Sequence, residues 1–364
     1  MTSDHSSLLF QPGRLGRLEL RNRLVRSATA ELRSDDEGVP SSSLADMYAA
    51  LAQGGVGLII SGHAYVDRRG RCHRNMTAAD RDDLIPHLAR LAQAAHQGGA
   101  KLALQINFGG AQCDSAILPH RLAPSDQLVP PGQSCRALAP GEIWQIVEAF
   151  GQAARRAKEA GCDAVQIHGA HGYLISQFLS PLTNQRQDEW GGDLPGRTRF
   201  LREVACAVRA SVGPHYPLFI KLGLCDESEG GLTLDEGLRV VADLAEMGFD
   251  AVEISHGIGD TRPVRPTPGA SPAEREAPFL PWARRARTVS RLPIILVGFL
   301  RSRAAMEEVL ASGAADFVSL CRPLICEPDL PQRFRAGLQE ESSCISCERC
   351  WPDQEGEIVE CRSL

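Results

Sequence analysis

Lys158 to Tyr173 reads KEAGCDAVQIHGAHGY, and it carries the unit from which the chain is built. A helix-favouring polar run stops at Gly161, where a glycine supplies the left-handed cap that turns a helix back toward a parallel strand. A short apolar strand with a β-branched bias follows at once over 164–169. The same junction recurs as AQGGVGLII (52–60), HQGGAKLAL (96–104), AEMGFDAVEI (245–254) and ASGAADFVSL (311–320). Working outward from these junctions, strands are expected over 24–29, 56–64, 102–108, 164–169, 218–224, 251–256, 294–299 and 317–322. Helical periodicity lies between them over 43–53, 84–97, 142–159, 197–211, 234–247, 282–289 and 302–312. Eight βα units predict an α/β chain closed as a (β/α)8 TIM barrel. A doubly wound sheet is the other arrangement this alternation allows, but no G-x-G-x-x-G follows the first strand.

The chain has 364 residues, 43% apolar and 23% charged, with a net charge of −6. That length is ordinary for a single α/β barrel. The charge offers no footprint for nucleic acid or an anionic membrane. No apolar run reaches the roughly 18 residues of a spanning helix, and the first residues lack a signal-peptide layout, so a cytoplasmic location is expected. Residues 15–23, LGRLELRNR, alternate like a short ribbon that caps a core. The longest loops, 111–140 and 257–281, follow the third and sixth strands, on the face where barrels do chemistry.

In a barrel, ligand-handling side chains collect at the C-terminal ends of strands. Those ends read Ser27-Ala28-Thr29, Gly62-His63, Gln105, His168/His171/Tyr173, Lys221, His256, Gly298 and Arg322. Lys221 is one of only three lysines and stands inside an apolar strand, LFIKLGL. An unpaired internal ammonium is costly, so it needs a ligand or an anionic partner. Gln105 is similarly embedded in LALQINF. An amide and an ammonium aimed at one ligand suit a planar heterocycle with carbonyl and imide edges; a structural Gln–Lys pair with a buried carboxylate is the plainer alternative. The loops after strands 7 and 8 are common phosphate sites in this fold, and Arg322 adds a charge-assisted fork. A phosphate there and a polar ring across the barrel mouth point to FMN.

Over residues 8–364 the chain resembles the old yellow enzyme family of FMN-dependent NAD(P)H oxidoreductases. It is particularly similar to the branch holding the flavin domains of 2,4-dienoyl-CoA reductase and trimethylamine dehydrogenase. The matching stretches are LRNRLVRSATAE, GGVGLIISGHAYV, LALQINFGGAQ, FIKL, FVSLCRPLICEPDLP and, most specifically, HGAHGYLISQFLSPLTNQRQDEWGG. The resemblance implies that Ser27, Ala28 and Thr29 lie along the flavin with Gly62 nearby, that Gln105 binds its pyrimidine edge, and that Lys221 stands by N1/O2. It implies that Gly298, Cys321 and Arg322 hold the phosphate. His168 and His171 would clamp a substrate carbonyl, and Tyr173 would deliver a proton. The chain departs from the family where Phe108-Gly109-Gly110-Ala111 replaces a usual His-Ala-Gly-Arg, and where Phe299 and Cys321 replace common glycines.

Twelve cysteines are present. Eight are scattered and read as small buried hydrophobes. The other four, Cys344, Cys347, Cys350 and Cys361, form C-x2-C-x2-C-x10-C, a donor set suited to [4Fe–4S] or to zinc, with free thiols as the third alternative. Multidomain relatives bind [4Fe–4S] with a similar pattern just after the barrel. The organisation expected is therefore an FMN-binding barrel over 1–338 and a cysteine-rich tail over 339–364. The sequence stops at Leu364, short of the FAD/NAD domains of larger relatives, so a cluster would need a separate redox partner protein or be structural. The activity expected is NAD(P)H-dependent reduction of an activated C=C bond in a small molecule. The alternatives are oxidative amine or C–C dehydrogenation and a flavin electron relay; a homo-oligomer is compatible with any of them.

Overall fold

The computed structural model describes residues 7–128, 134–259, 269–352 and 357–363. Eight parallel strands are present where the apolar runs place them: β1 (Leu24–Arg26), β2 (Leu58–Ile60), β3 (Lys101–Asn107), β4 (Ala164–Gly169), β5 (Leu218–Gly223), β6 (Ala251–Ser255), β7 (Ile294–Val297) and β8 (Phe317–Leu320). Each pairs with its successor, and β8 pairs with β1 to close the ring. The chain is thus a (β/α)8 barrel and not an open doubly wound sheet. Most strands end earlier than the apolar pattern does, because the last residues bend outward into the mouth.

Around the barrel run α1 (Ser42–Gln53), α2 (Ile85–Gln97), α3 (Pro140–Glu159), α4 (Leu194–Val212), α5 (Leu234–Asp243), α6 (Leu280–Val289), α7 (Arg303–Ala311) and α8 (Leu330–Arg335). Their apolar faces and the outward strand residues, such as Leu102, Val165, Ile220 and Ile254, make one buried layer. No helix among the described residues is long and apolar enough to cross a membrane. The loop after β3 carries a small sheet of Arg121–Ala123, Gln127–Leu128 and Ser134–Ala137. The loop after β6 carries a short helix, Pro272–Glu276; the stretch 260–268 of that loop lies outside the described residues.

Strand side chains alternate in direction, so every second residue faces the barrel axis. The lowest inward layer is apolar: Val25, Leu58, Ala103, Ala164, Phe219, Ala251, Ile295 and Phe317 pack together. Below it lies the ribbon expected at 15–23, an antiparallel pair of Gly13–Leu15 with Leu18–Leu20. Its Leu15, Leu18 and Leu20 join the same cluster and stopper the lower end. Two residues further along, the inward layer turns polar on six of the eight strands, with Ser27, Gln105, Gln166, Lys221, Glu253 and Ser319, all buried, while β2 and β7 carry Ile60 and Val297 there. Period-two alternation in strands that are apolar elsewhere places these six side chains at the floor of the mouth.

A buried ion pair braces the β1–β2 side. Glu31 Oε1 accepts from Tyr48 Oη at 2.9 Å, from the Gly62 N–H at 3.0 Å and from Arg26 Nη1 at 3.1 Å. The tail is laced to the barrel. Arg303 N donates to Glu340 O and Ser342 N to Arg301 O, Glu327 accepts from Ser342 Oγ and Ser343 N at 2.7 Å each, and Val359 N reaches Glu31 O.

Candidate active site

Five of the six floor side chains, all but Ser319, form one hydrogen-bonded chain. Gln105 Nε2 donates to Gln166 Oε1 at 2.7 Å, and Gln166 Nε2 donates to Glu253 Oε2 at 2.9 Å. From the other side Lys221 Nζ donates to Ser27 Oγ at 2.7 Å, and Ser27 Oγ donates to Glu253 Oε1 at 2.7 Å. Lys221 Nζ also stands 3.3 Å from Glu253 Oε1. The anionic partner that a buried lysine requires is therefore Glu253. Above the floor opens a cavity of about 520 Å³ lined by Ser27, Ala28, His171, Lys221, Ser255, His256, Gly298, Phe299, Ser319, Cys321 and Arg322, among others.

One wall is aromatic and imidazole-rich. The His168 ring lies 5.0 Å from that of His171 and 4.7 Å from that of Tyr173, each edge-on. His63 sits 5.1 Å from Tyr173, and His256 4.7 Å from His171. His168 Nδ1 accepts from the Ala170 N–H at 3.3 Å, which leaves Nε2 as its proton-bearing nitrogen. His171 takes a left-handed φ of 59°, uncommon for a residue with a Cβ, and its Nε2 meets Ser255 Oγ at 2.7 Å. Tyr173 is half-buried against Cys72 and Cys113. Burial, with those thiols beside it, pushes its phenol well above the usual range.

Burial also depresses the histidines. It takes His63 down to about 3, with His73 adding to the effect, and holds His168 and His171 well below their ordinary value, with neighbouring cationic groups as a further cause. All three are neutral in the folded chain at neutral pH. The unfolded chain takes up their protons near pH 6.5 and the folded chain does not, so this stability is complete above about pH 6.5 and is lost as pH falls below it, for His63 down to about 3. Each such histidine contributes at most about 1.4 kcal/mol per pH unit. Urea unfolding of the wild type and of His63→Asn at pH 7.5 and 5.5 is expected to show a smaller acid loss in the variant. Equal losses would exclude His63 as a source.

At the opposite end of the cavity, Gly298 and Phe299 both have positive φ, 117° and 51°, so the β7 turn keeps a left-handed backbone at the phenylalanine where the resemblance implies a glycine. The Arg322 guanidinium stacks 4.9 Å from the Phe299 ring. Arg322 Nη1 reaches Ser346 O and Glu348 Oε1 of the tail, both at 3.4 Å. Thr29 Oγ1 and Cys321 Sγ are 2.9 Å apart. Cys321 itself has a negative φ of −116°, so the backbone there is not left-handed.

Of the expected site residues, Ser27, Ala28, His171, Lys221, Gly298, Cys321 and Arg322 line the main cavity. Gln105 lies in its floor, and Thr29 touches it through Cys321. His168 and Tyr173 stand behind His171. Gly62 faces a separate small cavity with Glu31, His63 and His73. Phe108 is fully buried in the helix-side core and does not line the main cavity. Gly109 admits both Cys72 and Cys113, since a Cβ there would meet their sulfurs at 2.4 and 2.6 Å. The tail cysteines Cys344, Cys347, Cys350 and Cys361 border one small cavity together with Cys326. Burial and the adjacent Cys361 push the Cys326 thiol up to about 12. Among the described residues no three His, Cys, Asp or Glu side chains are grouped to hold a metal ion.

A closed barrel with a buried Lys–Ser–Glu–Gln floor and a histidine–tyrosine wall has the layout of a barrel enzyme with its site at the mouth. Residues 8–341 match the profile of the NADH:flavin oxidoreductase / NADH oxidase family. The chain belongs to that family, which includes the old yellow enzyme. It is 36% identical to the NADH oxidase of Thermoanaerobacter brockii over 94% of its own length and 53% of that protein. It is 33% identical to an NADPH dehydrogenase of Geobacillus sp. over 95% and 99% of the two chains. The solved old yellow enzyme homologue of Zymomonas mobilis superposes with a TM-score of 0.79 at 28% identity, covering 93% of this chain and 95% of that one. The chain spans about half the length of the first two curated relatives it matches.

FMN is the group this family implies, and the residues present fit it. The cavity runs from the buried Lys221 ammonium to the Arg322 guanidinium, and Ser319 Oγ, buried at its edge, has no partner within the described residues. A buried hydroxyl left unpaired calls for a ligand or a water.

Proposed function

We propose that the chain is an FMN-dependent NAD(P)H oxidoreductase that reduces an activated C=C bond in a small molecule. The observation that carries this reading is the meeting of His168, His171 and Tyr173 in one wall beside a cavity floored by Lys221 and Ser27. Bound FMN would take two electrons from NAD(P)H and supply them to the alkene as hydride. Ser27, Ala28 and Thr29 would line the ring and Gln105 would hold its imide edge. Lys221 would offset negative charge at N1/O2, a preorganised electrostatic role. Gly298, Cys321 and Arg322 would hold the phosphate.

Neutral His168, with its proton on Nε2, would donate a hydrogen bond to a substrate carbonyl oxygen, and His171, steadied by Ser255, would stand beside it. That polarises the conjugated double bond. Tyr173 would protonate the carbon left electron-rich. Neutral imidazoles suit the task, because they donate without placing a full charge beside Lys221. His256, which stands against His171, and Glu253 complete the site.

The tail thiols gather without forming a coordination set, so no step is assigned to a cluster there. Iron and zinc analysis of anaerobically purified protein decides among [4Fe–4S], zinc and free thiols. For the main reading, protein carrying FMN and reduced by NAD(P)H is expected to be reoxidised by a simple enone without oxygen. A reduced flavin that no activated alkene reoxidises would sink the ene-reductase reading.

A further inference from the structure

Glu253 is completely buried, one layer below the mouth, and three donors converge on it. A structural brace between strands would need only the amide side chains. The presence of a carboxylate 3.3 Å from Lys221 matters because that lysine is the one buried cation in the cavity floor. Resting on the flavin reading above, we propose that Glu253 is a positioning residue that sets the reduction potential of the bound flavin by sharing the charge of Lys221.

The physical case follows from distance and burial. Charges out of water act on one another far more strongly than in solvent. An ammonium beside N1/O2 favours the reduced ring, which carries more negative charge there. A carboxylate behind that ammonium opposes the effect and lowers the potential, so the reduced flavin becomes a stronger hydride donor. Ser27 makes the arrangement rigid: it receives from Lys221 and gives to Glu253, both at 2.7 Å. Gln166 fixes the second carboxylate oxygen and is itself fixed by Gln105. The same chain thereby ties together the two side chains expected along the flavin pyrimidine ring. A change of charge at position 253 is felt at Lys221 without any substrate being present.

Glu253→Gln keeps the shape and one of the two acceptor oxygens while removing the charge. With FMN bound, its midpoint potential by dye equilibration is expected to lie above that of the wild type. A tenfold gain in affinity for reduced over oxidised FMN corresponds to about 30 mV for a two-electron couple. Lys221→Met is expected to move the potential the other way. Glu253→Asp keeps the charge but draws it back from Lys221, so it should shift upward and by less; it serves also if the glutamine variant does not fold. A potential that is unchanged or lower in both Glu253 variants, in protein that binds FMN, overturns this role and leaves the flavin reading intact. A wild-type chain that takes up no FMN overturns both.

Discussion

Replacing Tyr173 by phenylalanine is expected to slow reoxidation of the reduced flavin by an enone about 10²–10⁴-fold, the range for losing a positioned proton donor, while reduction of the flavin by NAD(P)H is almost untouched. Tyr173 is the only phenol in this wall, with its ring 4.7 Å from that of His168 and 5.1 Å from that of His63. Burial keeps its proton bound well above neutral pH, so the phenol is fully protonated whenever substrate arrives. The two half-reactions separate its roles. Hydride transfer from nicotinamide to flavin needs no acid, whereas protonation of the alkene carbon does. Anaerobic stopped-flow of each half-reaction makes the comparison, and equal slowing of both would indicate a packing defect in place of lost acid catalysis.

The second large effect concerns stability. Glu31→Ala should cost about 3–5 kcal/mol, the range for breaking a buried ion pair from one side. Arg26 and Glu31 side chains are 2% and 4% exposed, so removing the carboxylate strands a buried guanidinium whose Nη1 keeps the Ile60 carbonyl as its acceptor. It also strips the Tyr48 hydroxyl and the Gly62 amide of their acceptor. Urea unfolding followed by circular dichroism measures the loss. Glu31→Gln, which keeps an acceptor for Tyr48 and Gly62, should lose less. A loss below about 1 kcal/mol in the alanine variant, the size for a solvent-exposed pair, would mean that water or rearrangement replaces the carboxylate.

The barrel itself was legible because its strands are buried on both faces and its helices end in glycine, two local signals that repeat. The strand-end residues were legible for the same reason: Lys221 stands out in LFIKLGL. Glu253 in DAVEIS and Gln166 in AVQIHG give the same signal, a polar residue at inward parity in an apolar strand, and reading that parity across all eight strands would have found them. His63 and His256 were visible at strand ends, but which way a ring turns after a strand ends depends on loop packing. The meeting of Cys72 with Cys113 was hidden because each lies in a different loop, brought together only over Gly109. The Arg322 contacts to Ser346 and Glu348 were hidden likewise, since they join segments through the fold and not through spacing.

The leucine ribbon beneath the barrel has a consequence for timing. With Leu15, Leu18 and Leu20 sealing the lower end, the barrel is a blind well with a single doorway. A flavin laid across that doorway shows one face to the outside. On the proposed reading, a nicotinamide and an alkene that both need that face would queue for it, each leaving by the way it came before the other enters. The apolar layer and the leucines that stopper the well beneath it, far from any reacting atom, would thus impose turn-taking on the chemistry above them.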